Sequence, residues 1–348
     1  MVSDSVSTSV SELTSTSTNK QVSKEPIQIK RVAITGANGF IGKALVSAYH
    51  ACGIAVNALL RNTTKYADDP FWSDINLIQG DLDDHKALKK LCTDTDLVIH
   101  CAAFMGKKDP KLSDQVNIEG TRHIIEVAHS AQVKRFIYVS SISVYRGTKS
   151  SNYIFDEALE PYLHPKLNHY SRSKLEGEHL CKSLCASLNP SSNPSSAQQH
   201  NMDYVIVRPT NVYGPGCRPW GSQVENLVSR YHICFGRVVF NFIHIDDLVQ
   251  GFMLMGSKAE AKNQVFNLAA EAIELSLFHK HIAQRLGVWT WRLPWVLDTL
   301  IRYTIDGVAT LRGEVRSTGY TPKFHYPHQH TQRLLGYEPQ HLIYAKHK

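Results

Sequence analysis

Short apolar runs, separated by stretches whose apolar residues recur every three or four positions, order the chain from residue 31 to 270. RVAIT (31–35) leads into a glycine turn, after which Ile41, Leu45 and Val46 share a helical face. AVNALLRN (55–62), LVIHCAA (97–103), RFIYVSS (135–141), DYVIVRP (203–209) and VFNLAA (265–270) read as further strands, with helical segments such as NIEGTRHIIEVAHSA (117–131) between them. Strands that alternate with helices in this way belong in a parallel sheet covered on both faces, because each crossover lays its helix on a face. The fold class is therefore α/β, a doubly wound Rossmann sheet. Beyond residue 270 the alternation stops, which predicts a smaller, mostly helical C-terminal lobe of 209–236 and 271–348 over the carboxyl edge of a sheet domain of 27–208 and 237–270.

SLNPSSNPSSAQQHN (187–201) is a low-complexity insertion between a helix and a strand, where added loop length costs little, and is expected as a flexible surface loop. In RLPWVLDTLIRYTIDGVATLRGE (292–314), Val296, Leu297, Leu300, Ile301, Ile305, Val308 and Leu311 recur at helical spacing while Asp298, Arg302 and Asp306 lie opposite. Pro294 suits the first turn, and most of the apolar face is expected to pack as core. Trp289, Trp291 and Trp295 gather at its head, near where a lid would start.

At 348 residues the chain can bury a sizeable core. Its 38 basic and 31 acidic residues leave a formal charge of +7, but pairs such as Lys89-Lys90 and Lys107-Lys108 are scattered, unlike the concentrated stripe of a nucleic-acid binder. The excess reads either as an ordinary solvated surface or as a mild attraction for small anionic molecules. Seven cysteines without paired spacing fit the reduced thiols of a cytoplasmic protein. Residues 1–26, rich in Ser and Thr and lacking the apolar core of a secretory signal, are expected as a disordered tail. No apolar run reaches the length of a membrane span, and the charges within 292–314 leave that stretch only contact with a bilayer surface.

TGANGFIG places Gly36, Gly39 and Gly42 between a strand and a helix, so a diphosphate can approach bare backbone and the helix N-terminus; this is a dinucleotide site. Where an NAD-binding fold usually offers a carboxylate to the ribose, the chain reads Leu60-Arg61-Asn62, with Lys65 one turn on. Arg61 and Lys65 would attract a 2′-phosphate, so NADP(H) is favoured over NAD(H). Asp81 in QGDLDD either accepts a hydrogen bond from the adenine amino group or caps the helix beginning near His85. HYPHQH brings together His325, His328 and His330, but no carboxylate or cysteine completes a set, and no metal site is expected.

The strand ending in Ser140 and Ser141 precedes Tyr170-Ser-Arg-Ser-Lys174 by about thirty residues. Four residues apart on a helix, Tyr170 and Lys174 share a face. Bringing a phenol from near pKa 10 to near 7 takes about 4 kcal/mol. An ammonium at roughly 4 Å supplies about 1 kcal/mol of that in water and about 4 at an effective dielectric of 20, so the pair requires a partly dry cleft.

TGANGFIG, GDL (80–82), CAA (101–103), VNIEGT (116–121), YVSSISVY, YSRSK, RPTNVYGPG (208–216) and FIHIDDL (242–248) form an ordered series. In it the chain resembles the extended short-chain dehydrogenase/reductase family from residue 31 nearly to its end. The resemblance implies that Ser141 binds the substrate oxygen, Tyr170 is the general acid/base, Lys174 holds the nicotinamide ribose, and Asn117 is a helix asparagine of the proton-relay kind. It adds Asn38, Phe40, Ile41, Leu82, Ala102, Ala103, Pro209 and Thr210 to the cofactor contacts, and implies a homodimer. Dehydratases of the family often carry an Asp-Glu pair after the serine; Ile142-Ser143 stand here, so dehydration is not expected. The apolar C-terminal stretch and RLLGYEP (333–339) are similar to the 3β-hydroxysteroid dehydrogenase branch, although Arg61 departs from its NAD preference and fits ketone reductases that use NADPH. The expected activity is NADP(H)-dependent interconversion of a ketone and a secondary alcohol on an apolar, sterol-like or lipid-derived molecule. The alternatives are a nucleotide-sugar 4-epimerase with tightly held NAD and a dinucleotide-sensing binding protein.

Overall fold

A computed structural model describes residues 26–105, 109–150, 152–188, 201–217, 221–311 and 324–343. The Ser/Thr-rich stretch 1–25 and the greater part of the 187–201 insertion lie outside the described residues.

Strands β1 (Arg31–Thr35), β2 (Ala55–Leu60), β3 (Asn76–Gln79), β4 (Leu97–His100), β5 (Arg135–Val139) and β6 (Asp203–Pro209) are interleaved with helices. These are α1 (Phe40–Ala51), α2 (His85–Cys92), α3 (Pro110–Asp114), α4 (Gly120–Ser130) and α5 (His169–Leu188). The chain continues through β7 (Asn211–Tyr213), α6 (Gly221–Tyr231), β8 (Ile233–Cys234), β9 (Val239–His244), α7 (Ile245–Ser257), β10 (Gln264–Leu268) and β11 (Glu271–Glu274). It closes with α8 (Leu275–Leu286), β12 (Trp291–Arg292), α9 (Trp295–Leu311) and α10 (Gln329–Leu335).

In the order β10-β6-β5-β4-β1-β2-β3, seven strands form one sheet whose pairings are all parallel. The order reverses between β1 and β4, so crossovers leave these neighbours in opposite directions and open a crevice above Thr35 and His100. Alternation along β1 turns Val32 and Ile34 into one buried cluster with Leu45 of α1 and Phe252 of α7. It turns Ala33 into another, with Leu88 of α2 and Ile124 of α4. Both faces of the sheet are thus covered, as the unbroken apolar strands require.

Helices α6, α8 and α9 fall in the segments 209–236 and 271–348. A three-stranded sheet, β11-β9-β7, joins two strands of these segments to β9 from 237–270, and β12 pairs with β8. These strands span only two to six residues, too few for their alternation to stand out in the sequence. Phe242 of β9 stacks on Phe278 of α8 with centroids 4.2 Å apart, fixing the small sheet to its helix.

Helix α9 overturns an expectation. Val296, Leu297, Leu300 and Ile301, read as core, are 39–56% exposed, and Trp295 and Tyr303 stand beside them in solvent. Asp298, read as the outer face, instead accepts the Gly236 and Arg237 amides at 2.7 and 3.2 Å. Two backbone donors in a loop need an acceptor, and a carboxylate answers both, so the helix docks through Asp298 in its first turn. No helix among the described residues is long and apolar enough to cross a membrane.

Candidate active site

The turn after β1 is built on missing side chains. Gly36 has φ +67°, and a Cβ there would meet Ala102 N at 2.7 Å. A Cβ on Gly42 would lie 2.2 Å from Gly36 O. Helix α1 follows with Gly39 as its N-cap, no side-chain cap and no acid in its first turn, which leaves its first amides open to an anion. By contrast α2 is capped, by Asp84, whose Oδ1 accepts the Lys86 and Ala87 amides. Asp81 is therefore not the cap. Its Oδ1 accepts the Asp83 and Asp84 amides at 3.0 and 3.1 Å, and it faces the crevice.

A cavity of about 700 Å³ runs along this sheet edge. Its lining includes Gly36, Asn38, Gly39, Phe40, Ile41 and Gly42 from the turn, then Arg61, Asp81, Leu82, Ala102 and Ala103. Ser141, Tyr170, Lys174, Pro209 and Thr210 lie on the same wall, so every expected site residue except Asn117 and Lys65 is brought to one space. Lys65 sits in a 3₁₀ turn off the cavity, its ammonium 5.9 Å from the Tyr66 ring centroid. A second cavity, of about 630 Å³ in the lobe, contains none of them.

Asn117 is 2% exposed and lies in a π-turn, Gln115–Glu119, between α3 and α4. Its Oδ1 accepts the Phe104 amide at 2.6 Å, and its Nδ2 donates to Phe104 O and Ser173 Oγ, both at 3.0 Å. With its amide so committed, Asn117 braces the 101–105 wall against α5 and does not face the cavity as a relay group.

Of the paired serines, Ser140 is buried and donates to Glu178 Oε1 at 2.5 Å. Ser141 accepts the Ser143 amide at 3.1 Å, which starts a 3₁₀ turn and leaves its side chain on the cavity beside Tyr170. Burial raises the Tyr170 pKa, while a hydrogen bond with Ser141 and the charge of Arg146 pull it back in part. The expected acidification by Lys174 is absent from that balance. The Lys174 ammonium donates to Val139 O at 2.7 Å and lies 5.0 Å from the Tyr138 ring, so a strand carbonyl takes it. Burial lowers its pKa to about 8, opposed by Cys101 and Glu178.

Two supports escaped the sequence reading. His100 is buried between Thr35 Oγ1 at 2.7 Å and Thr121 Oγ1 at 3.1 Å. Burial, with the Lys174 charge, lowers its pKa to about 3, so it is a neutral brace joining β1, β4 and α4. A histidine inside the apolar run LVIHCAA was the available signal. Glu178 continues the Tyr170, Lys174 row by another four residues and binds Arg208, with Nε–Oε1 at 2.9 Å and Nη2–Oε2 at 2.5 Å. Arg208 also donates to Tyr145 Oη at 2.7 Å.

The model of the NAD dependent epimerase/dehydratase family matches residues 32–269. A UDP-glucose 4-epimerase from Vibrio cholerae is 29% identical over 89% of this chain and 91% of its own. A ceramide reductase from Caulobacter vibrioides is 31% identical over 53% of this chain and 47% of its own. Among solved structures, MoeE5 in complex with UDP-glucuronic acid and NAD superposes with a TM-score of 0.68 at 23% identity, covering 90% of this chain and 95% of that one, which is a likeness of fold.

Proposed function

The chain belongs to the NAD-dependent epimerase/dehydratase family, of the extended short-chain dehydrogenase/reductase kind, and from that premise we propose an NADP(H)-dependent oxidoreductase that interconverts a ketone and a secondary alcohol on an apolar, lipid-derived molecule. The observation that carries the reading is the gathering of Ser141, Tyr170 and Lys174 with the glycine turn around one cavity. The bare backbone at Gly36 and Gly42 and the uncapped start of α1 fit a dinucleotide diphosphate. When bound, the nicotinamide supplies or receives the hydride. Ser141 holds the substrate oxygen, Tyr170 gives it a proton, and Lys174 offers its charge to the ribose hydroxyls. A phenol whose pKa burial has raised stays protonated at neutral pH, so Tyr170 is in the form that can give a proton. Asn117 is a positioning residue in this scheme.

Arg61 on the cavity wall supports NADP(H), now without Lys65. Phe104, Met105, Leu112, Val116 and Val212 on the same cavity support an apolar substrate, and ketone reduction agrees with the name of the ceramide reductase relative. The second reading, a nucleotide-sugar 4-epimerase, draws on the Vibrio cholerae relative, which aligns along nearly the whole chain. A screen of lipid ketones, secondary alcohols and UDP-sugars with NADPH and NADH separates the two. Stoichiometric NADPH oxidation by a ketone is expected, with Arg61→Ala raising KM for NADPH by tenfold or more and leaving that for NADH within twofold. Conversion of a UDP-sugar by protein purified with nicotinamide bound, and needing none added, would replace this reading by the epimerase.

An apolar substrate also gives a use to the outward face of α9. Trp295, Leu300 and Tyr303 suit the headgroup boundary of a bilayer, and the positive net charge suits anionic lipid. Sedimentation with vesicles of phosphatidylcholine and phosphatidylserine should carry the protein down. The Trp295→Asp, Leu300→Asp double variant should lower the bound fraction at least threefold at unchanged thermal midpoint; equal binding removes α9 from the contact.

A further inference from the structure

Strand register brings two side chains together at one end of the cavity. Thr35 lies opposite Leu59 in the parallel pair of β1 and β2, so the residues that follow the two strands leave the sheet side by side, neighbouring strands being about 4.8 Å apart. Asn38 of the glycine turn and Arg61 after β2 are such residues, and both line the cavity. A dinucleotide whose diphosphate rests on the turn has its adenosine ribose beside them.

Asn38 is held from behind. Its Nδ2 donates to Tyr66 Oη at 3.0 Å, a contact between residues 28 positions apart. Tyr66 closes the 3₁₀ turn Thr64–Tyr66, and packing fixes its place: its ring centroid lies 5.4 Å from that of Trp72, which is buried in one cluster with Leu45 and Val56. Phe71 meets the same indole edge-on at 4.8 Å, and Lys43 of α1 sets its ammonium 4.3 Å from the Phe71 ring centroid. The connection from β2 to β3 is thus tied to the helix that follows the glycine turn. An amide whose Nδ2 is engaged in this way gives up rotamer freedom before any ligand arrives, so the ligand meets an ordered donor. Lys65, although off the cavity, adds positive charge 5.9 Å from the Tyr66 ring centroid.

We infer that Tyr66 is a positioning residue for the 2′-phosphate of NADP(H), its hydroxyl holding the Asn38 amide beside Arg61 so that both meet the same group. This rests on the NADP(H) reading above and names the residue that completes it. Phosphate oxygens only accept, and the guanidinium fork of Arg61 and the second Nδ2 proton of Asn38 are donors that form charge-assisted bonds with them. The ribose hydroxyl that NAD(H) carries at that position brings no charge to the two donors, so losing the support costs NADPH and spares NADH. Tyr66 is not itself part of the cavity wall and acts through Asn38, which is.

The test measures binding of 2′,5′-ADP and 5′-AMP, which differ only in the 2′-phosphate, to the full chain by calorimetry, and of NADPH and NADH by fluorescence. The parent should bind 2′,5′-ADP more tightly than 5′-AMP. Tyr66→Phe keeps the ring against Trp72 and should leave the thermal midpoint unchanged. It should weaken 2′,5′-ADP and NADPH about tenfold, the order expected for a hydrogen bond directed at a charged group, with 5′-AMP and NADH within about twofold. Asn38→Ala should lose as much, and adding Tyr66→Phe to it should change nothing further. A parent that does not distinguish the two nucleotides overturns the NADP(H) reading and this inference with it. If the parent does distinguish them, the role of Tyr66 alone is overturned by a Tyr66→Phe variant that retains the preference, weakens both nucleotides alike, or adds its full effect to that of Asn38→Ala.

Discussion

Tyr170→Phe is expected to cut turnover about 10²–10⁴-fold while leaving dinucleotide binding intact, since the change removes one hydroxyl and the proton it carries. The phenyl ring can keep the packing that half-buries Tyr170, so stability should be nearly unchanged. Because burial places the phenol above its ordinary value of 10.0, Tyr170 is fully protonated throughout the neutral range and sets no limit on ketone reduction there. The group that titrates first is Lys174, brought by burial to about 8. Below that value it is an ammonium; above it the charge offered to the ribose disappears. The reductive kcat/KM should therefore be level from about pH 6 to 7 and fall as pH rises through about 8. A fluorescence titration with NADPH beside a stopped-flow rate checks both halves. A variant that keeps more than a tenth of the parental rate, with binding undisturbed, removes Tyr170 as the acid.

Periodicity and turn chemistry made the sheet, the glycine turn and most of the cavity wall legible before any coordinate. Both signals are local, and a parallel sheet turns local order into global placement: every strand delivers its carboxyl end to the same edge. That is why Gly36, Ser141, Tyr170 and Pro209 meet although 173 residues separate the first from the last. What stayed hidden depends on distant partners. Spacing on α9 shows which residues share a face, but the Gly236 and Arg237 amides, some sixty residues earlier, decide which face docks. Likewise the interval between Tyr170 and Lys174 predicts one face, yet the ammonium is taken by Val139 O, an acceptor on the neighbouring strand. Asn117 lies in the π-turn just ahead of α4, and its amide is spent on Phe104 and Ser173, partners that local spacing does not reveal.

Glu178→Gln is expected to destabilise the fold by about 3–5 kcal/mol, the usual cost of leaving one member of a buried ion pair without its counter-charge. Glu178 is 0% and Arg208 1% exposed on their side chains, so water cannot screen the guanidinium that remains. Burial alone would lower the Arg208 pKa; the hydrogen bonds and charge of Glu178 outweigh it and raise it, and a guanidinium is too strong a base to lose its proton when the partner's charge is removed. Removing both charges, in Glu178→Gln with Arg208→Met, should recover part of the loss, because a buried pair replaced as a unit often costs little. The pair also spans the active site from behind. Glu178 follows Lys174 by one turn of α5, and Arg208 immediately precedes Pro209 and Thr210 on the cavity wall. Loosening it should shift Tyr170 relative to Pro209 and Thr210, so kcat should fall in Glu178→Gln even at temperatures where the variant is folded. Urea unfolding gives the stability change, and turnover well below the midpoint gives the second effect. A loss under about 1 kcal/mol would mean that relaxation or entering water solvates Arg208, and that the pair does not hold α5 against β6.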